Sequence, residues 1–395
     1  MTTATDVVPS LPFARPHPMV PPSELARLRA EAPVSRVHTS AGEPAWLVTR
    51  YEDARAVLGD RRFALALPGA LGGGQASNDS LFQDPPGHSR LRRLVSAAFT
   101  RRRAAGLRTR ADEIAEGLVA DMAAGERPVD LMRAVAFPLP ITVIGELLGV
   151  PTGERDSFKG WSNALMSLPA GNGGTDPGTA WEGLSRQVGA LIADKREQQG
   201  EDLLSALITV RDTEDDRLSE AELVMMAITL IMAGYVTTSV ATGLGAILLT
   251  GHDQLARLAA EPALVPTAVE EVLRFQAAGG DVARVATDDL ECSGVSIAAG
   301  EKVVVSLTSA NRDESRFADP DRFDIARTDN PHLTFGHGIH HCLGAALARM
   351  ELQAVFTGLA ARLPDLRLAI RVEDLTWQRS ELFGDEWPAA IPVTW

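Results

Sequence analysis

Cysteine is scarce in this chain of 395 residues, which has only Cys292 and Cys342. Two are too few for a disulfide framework, and a reducing cytoplasm is the expected home. Met1 to Arg15 lacks a basic stretch followed by an apolar run, so neither a signal peptide nor an N-terminal anchor is expected. Positive charge is in deficit: a net charge of -14 and a pI near 5.1 argue against nucleic acid as a partner. The chain also lacks a Walker-type glycine loop, a convincing nucleophile–base–acid set, an internal repeat and a low-complexity block.

What remains is the composition of a globular enzyme. Hydrophobic residues make up 45% and the mean hydropathy is near zero, so a large core is expected. Leu223 to Gly251 carries no charge and is long enough to cross a bilayer. Thr229, Thr237, Thr238, Ser239 and Thr242 interrupt it, and no Lys/Arg cluster flanks it. A core helix buried on all sides is therefore expected, with no membrane.

The first 22 residues are Pro-rich, and Ser23 reads as the N-cap of a short helix through Arg29. Trp46 to Thr49 reads as a strand and Tyr51 to Leu58 as a helix. Helical periodicity dominates from His88 to Leu249. Two glycine-rich segments, Pro68 to Asn78 and Pro169 to Gly178, read as loops, which suit either lids over an entrance or plain surface excursions. Ser219 and Glu222 form a capping box that starts the uncharged helix, and Gly251 stands where a glycine cap would end it. Val282 to Val305 alternates like strands, with turns at Ser293-Gly294 and Ala299-Gly300. A last helix is expected from about Cys342 to Leu363, and short strands around Ala390 to Trp395 end the chain. The fold class expected is mainly α with a minor β region, in a single domain over residues 1–395.

The most informative segment is Phe335-Gly336-His337-Gly338-Ile339-His340-His341-Cys342-Leu343-Gly344. A cysteine at a helix N-terminus has its thiolate stabilised by the dipole and by backbone N–H groups. Gly338 and Gly344 let the backbone approach a flat ligand and aim N–H groups at the sulfur. The competing reading is a zinc site from His337, His340, His341 and Cys342, although structural zinc ligands come as pairs separated across a turn.

Three further patterns stand in the chain. Glu271 and Arg274 share a helix face. Ala233-Gly234-Tyr235-Val236-Thr237-Thr238 sits mid-way along the uncharged helix, where small residues and threonines also suit close helix packing. Asp84 to Arg93 places His88 and Arg92 four apart on one face. Arg90 to Arg103 has six arginines and no acid, a local reversal of the net charge. Such a run suits a solvated face or docking of an acidic partner. Cys292 reads as an ordinary small residue.

Together these segments resemble the cytochrome P-450 superfamily, from about Trp46 to Trp395, with the four motifs in the family's order. The resemblance implies a soluble bacterial-type haem-thiolate monooxygenase. Cys342 would bind the iron of haem b (iron protoporphyrin IX), within a loop that includes Phe335, Gly338 and Gly344. His88, Arg92, Arg284 and His340 match the partners of the haem propionates, carboxylates that need cationic or donor groups in an interior. Glu271 and Arg274 match a structural pair that ties their helix to a meander over Asn311 to Phe323. Ala233 and Gly234 would leave room for dioxygen, and Thr237 would hydrogen-bond it and help deliver protons, with Thr238 beside it. By motif offset, Thr229, Met232, Ala233, Gly280, Asp281 and Phe383 would line the substrate pocket.

One departure stands out. The family usually has an acid before the first threonine, and here it is Val236, which cannot relay protons. The main reading is oxidation of a small organic substrate, a secondary metabolite by analogy, with electrons from a separate ferredoxin or flavodoxin. A haem-thiolate oxidase performing coupling, ring closure or desaturation is the alternative that Val236 favours. A non-enzymatic haem sensor is another.

Overall fold

The computed structural model describes residues 8–65, 79–98, 101–165, 176–213, 218–276, 280–379 and 386–395. The chain is mainly helical with a minor β portion. It divides into two compact units: Met1–Pro68 with Leu273–Phe323 and Thr328–Cys342, and Gly69–Val272 with Asp324–Arg327 and Leu343–Trp395.

The first unit is built on a five-stranded sheet: β1 (Val34–His38), β2 (Pro44–Val48), β3 (Phe63–Leu65), β4 (Val282–Ala286) and β5 (Lys302–Val305). The order is β1-β2-β5-β4-β3, with only β2 and β5 parallel. Val303 and Val305 of β5 are fully buried and pack with Val34, Val48, Tyr51, Phe63 and Phe317. The expected Ser293-Gly294 turn joins Leu290–Cys292 to Val295–Ile297, and both turn residues have positive φ, 47° and 77°. That pair of angles suits the right-handed twist of a tight hairpin. Helices Ser23–Glu31 and Tyr51–Gly59 flank the strands in sequence. Ser23 is not the cap: extended Pro22 holds that place, and Ser23 is already helical.

The second unit is helical, and four helices matter below: α1 (Gly87–Ala98), α2 (Glu220–Gly251), α3 (Val265–Phe275) and α4 (Ala345–Arg362). The unit boundary falls inside α3, after Val272. The capping box forms as expected: the Glu222 N–H donates to Ser219 Oγ at 3.0 Å, and the Ser219 N–H to Glu222 Oε2 at 2.7 Å. Helix α2 spans 32 residues, and 61% of its most apolar window is buried, as expected of a core helix. Two glycines let neighbours approach. A Cβ at Gly245 would stand 2.4 Å from Phe356 Cζ and 2.9 Å from Val272 Cγ1. At Gly243 it would meet Met132 Sδ at 2.6 Å. Gly251 does not end the helix, because His252 takes the cap and its N–H bonds the Leu248 carbonyl.

Two other expectations shift. Pro177 and Gly178, read as loop, already belong to helix Pro177–Glu197, because Asp176 caps it and proline suits the first helical position. Residues 169–175 of that segment and all of Pro68 to Asn78 lie outside the described residues. Near the C-terminus, Pro392–Thr394 pairs with both Val129–Asp130 and Arg367–Leu368.

Candidate active site

The cysteine loop is fixed through its backbone. The Cys342 N–H donates to the Phe335 carbonyl at 2.8 Å, and the Gly336 N–H to Leu333 at 2.7 Å. Gly336 and Gly338 have φ of 71° and 72°, values that side chains resist. At Gly338 space is lacking as well: a Cβ would lie 2.5 Å from the Leu58 carbonyl oxygen and 3.0 Å from Gly59 Cα. Gly338–His340 forms one 3-10 turn, and Cys342 follows it with an exposed side chain. The helix does not begin at Cys342. Gly344 caps it and Ala345 is its first residue, because the chain is still closing the loop back onto Phe335. Among the described residues no group of three or more His, Cys, Asp or Glu side chains is arranged for a metal. The His337, His340, His341 and Cys342 set for zinc therefore does not assemble. Phe335 is half-buried, and its ring lies 5.8 Å from that of His332 and 6.3 Å from that of His341.

Buried polar side chains hold this loop from behind. Arg274 donates to the carbonyls of Asn311 and Pro320, both at 2.8 Å. The Asn311 side chain accepts from the Leu333 N–H at 2.8 Å and donates to Thr334 Oγ1 at 2.9 Å. Thr334 in turn donates to the Leu273 carbonyl at 2.7 Å. In the other unit, fully buried Glu271 accepts from the Asp324 N–H at 2.9 Å and from Arg327 Nε at 3.2 Å. Asn311 was counted only as part of the meander, and Arg327 lies just past its expected end. A basic residue following Pro320-Asp321-Arg322-Phe323 was the available signal for Arg327.

On α2 one narrow stripe escapes burial. Ala233 and Thr237 are exposed, with Thr229 and Met232 half-buried nearby, whereas Tyr235, Val236 and Thr238 are buried. Thr237 Oγ1 donates to the Ala233 carbonyl at 2.7 Å. Thr238 differs from Thr237: its side chain is buried and its carbonyl accepts from Thr242 Oγ1 at 2.9 Å. Gly234 serves packing, since a Cβ there would touch Ile144 at 3.3 Å. The Tyr235 hydroxyl donates to Asn163 Oδ1 at 2.8 Å, and burial pushes its pKa up.

Basic groups are buried in both units. His88 and Arg284 are 2% and 5% exposed, unusual places for groups that bind protons. His88 opens α1, with half-buried Arg92 one turn on. Arg284 lies on β4, and half-buried His340 in the 3-10 turn. Asp281 keeps an exposed surface, yet desolvation pushes its carboxyl up to about 6. Hydrogen bonds from Ser306 and the Leu307 N–H and the Arg15 charge oppose that shift. Gly280 precedes it with φ 58°. Phe383 lies outside the described residues.

These features can be set against known proteins. The family model described as Cytochrome P450 matches residues 261–362. Nocardicin C N-oxygenase of Nocardia uniformis subsp. tsuyamanensis is 43% identical over 396 residues, covering 98% of each chain. Mycinamicin IV hydroxylase/epoxidase of Micromonospora griseorubida is 45% identical over 397 residues, covering 97% of this chain and 98% of the relative. The chain belongs to the cytochrome P450 family. The fold agrees: the structure of the mixed-function P450 MycG F286A mutant in complex with mycinamicin IV superposes with a TM-score of 0.89 at 44% identity, covering 98% of this chain and all of that one. This P450 is a monooxygenase that uses haem-thiolate chemistry with dioxygen, a small-molecule substrate and a redox partner. A non-enzymatic sensor is set aside.

The residues singled out in the sequence of this P450 fall in both units. Cys342, Phe335, Gly338, His340, Arg284, Gly280 and Asp281 belong to the first, and His88, Arg92, Gly344 and the α2 residues to the second. The arginine run is partly committed, because Arg90 forms an ion pair with Glu222. Arg93 is exposed, and the side chains of Arg101, Arg102 and Arg103 lie outside the described residues.

Proposed function

We propose that the chain works as one haem-thiolate catalytic domain, in which Cys342 Sγ would bind the iron of haem b and a secondary metabolite is oxidised. Bound there, the haem supplies reductive activation of dioxygen. The observation that carries the reading is an exposed cysteine at the end of a loop whose closure leaves no room for a side chain at Gly338. The donor set also fits the group. A soft thiolate suits iron, and each unit taken by itself offers donors of the kind a carboxylate needs in an interior, buried Arg284 with His340 in the first and buried His88 with Arg92 in the second.

The chain's own residues then have distinct tasks. Phe335 and Gly338 hold the sulfur in place, and Gly344 starts the helix behind it. Thr237, on the accessible stripe of α2, offers a hydroxyl to dioxygen, while Ala233 keeps that stripe low and Gly234 seats the helix. Buried Thr238 supports Thr237 without reaching ligand. Thr229, Met232 and Ala233 are the substrate contacts assigned to α2, and Gly280 and Asp281 those assigned to the first unit. A separate ferredoxin or flavodoxin delivers electrons, and the cytoplasm is the compartment. The curated relatives named for nocardicin C and mycinamicin IV support a secondary metabolite as substrate class.

Val236 supports a second reading, oxidative coupling, ring closure or desaturation without oxygen insertion. Its side chain is buried and apolar, so it brings neither an acid nor water to Thr237.

The test is the reduced carbon-monoxide spectrum of the purified protein. A thiolate-type Soret band, lost in Cys342→Ser, is expected. An imidazole-type band, or one that survives the substitution, overturns the assignment. Labelled dioxygen then separates the two chemistries, since only oxygen insertion puts the label in product.

A further inference from the structure

Helix α1 carries His88 and Arg92 on one face, four residues apart. Arg90 stands about 200° around the axis from His88, at about 100° per residue. It therefore projects from the opposite side. There its guanidinium pairs with Glu222 Oε1, on the first turn of α2. Glu222 is committed twice, because its Oε2 accepts from the Ser219 N–H in the capping box at 2.7 Å. Its side chain is 8% exposed, against 28% for Arg90. A carboxylate so shielded depends on its cation, and removing one partner leaves a buried charge.

We propose that the Arg90–Glu222 ion pair is a positioning device for the cofactor: it ties α1 to the first turn of α2 and so aims His88 and Arg92 at the haem carboxylates. The inference rests on the assignment of His88 and Arg92 made above. Arg90 and Glu222 act through α1 and touch no reacting atom. The charge of Arg90 is spent inside the protein, so it does not serve electron-partner docking.

Haem retention by the purified holoprotein, followed by transfer to excess apomyoglobin, reads this directly. Arg90→Met keeps the aliphatic stem, and Glu222→Gln keeps the capping box. Each is expected to lose haem about tenfold faster, the lower range for residues that support a metal site from outside it. The double variant is expected to be no faster than the faster single one. Reconstitution with haem dimethyl ester, whose carboxylates are masked, is expected to erase the difference from wild type. Wild-type retention in the single variants overturns the proposal. So does a double variant whose effect is the product of the singles, or an ester haem still lost faster from the variants. His88→Ala and Arg92→Ala form the separate arm. If they retain haem like wild type, the assignment of the carboxylate partners fails, and the proposal fails with it. If they lose haem while Arg90→Met and Glu222→Gln do not, only the positioning role falls.

Discussion

In the first unit, position is set by hydrogen bonds to particular backbone atoms. Arg274 grips two carbonyls at 2.8 Å, Asn311 and Thr334 brace the approach to Phe335, and Gly338 lies against the Leu58 carbonyl. In the second unit, α2 is seated by shape, with Gly245 bare against the Phe356 and Val272 side chains. The chemistry explains the division. The glycine-rich cysteine loop has few apolar side chains of its own, so polar contacts with fixed directions hold it. A helix with no charge over its last 29 residues, Leu223 to Gly251, has apolar surface in excess, and close packing holds it with few directional bonds, such as that from Tyr235 to Asn163. Directional contacts fail abruptly when one partner goes, whereas packing yields by side-chain movement.

Arg274→Ala should have the largest effect. It removes a buried cation and strands the Asn311 and Pro320 carbonyls, a loss of about 3–5 kcal/mol. Denaturant melts of the holoprotein should show that loss together with poor haem incorporation. An effect below about 1 kcal/mol would place Arg274 among surface-like pairs and end the contrast drawn here.

The two glycines sharpen the comparison. Gly338→Ala combines a left-handed backbone, costing about 1–2 kcal/mol, with a backbone clash that no rotamer relieves. Gly245→Ala meets only side chains, which can shift at about 1–3 kcal/mol. The thiolate Soret band should therefore weaken in the first variant and persist in the second. The reverse order would show that packing, not backbone contact, is the stricter constraint.

The last effect depends on pH and concerns a buried carboxyl of the helical unit, that of Glu351, whose Oε2 finds no hydrogen-bond partner among the described residues. Glu351 of α4 is 1% exposed, and burial raises its carboxyl pKa well above the usual range. Its folded-state pKa then exceeds the unfolded one, so the folded chain keeps a proton that the unfolded chain releases. Stability is highest below the ordinary carboxyl range and falls as pH rises toward the raised value, by about 1.4 kcal/mol per pH unit at most. Glu351→Gln stays neutral throughout. It should match wild type near pH 4 and exceed it at pH 8 in thermal melts. Parallel pH profiles for the two proteins would mean that Glu351 is ionised when folded.

Much of this was legible before any coordinates. The spacing of Phe335, Gly336, Gly338, Cys342 and Gly344 marked the cysteine loop, and the uncharged run from Leu223 marked the core helix with its Ser219 and Glu222 box. Others were out of reach because their partners are far along the chain. Arg90 read as one arginine in a basic run, and only its contact with Glu222, 132 residues away, gave it a different task. Arg327 lay past the expected meander until Glu271 was found beside it. Thr238 read as a second catalytic threonine beside Thr237 until burial set it apart.

The residue order by itself determined the helix periods, the turn at Ser293-Gly294, the glycines of the cysteine loop and the family, because these depend on neighbours within a few turns or on spacing alone. Tertiary structure alone decided that Cys342 stands ahead of its helix, that Gly234 packs on Ile144, and which arginines are already paired. Those outcomes depend on which distant atoms compete for the same space or the same charge, and local spacing carries no record of that competition.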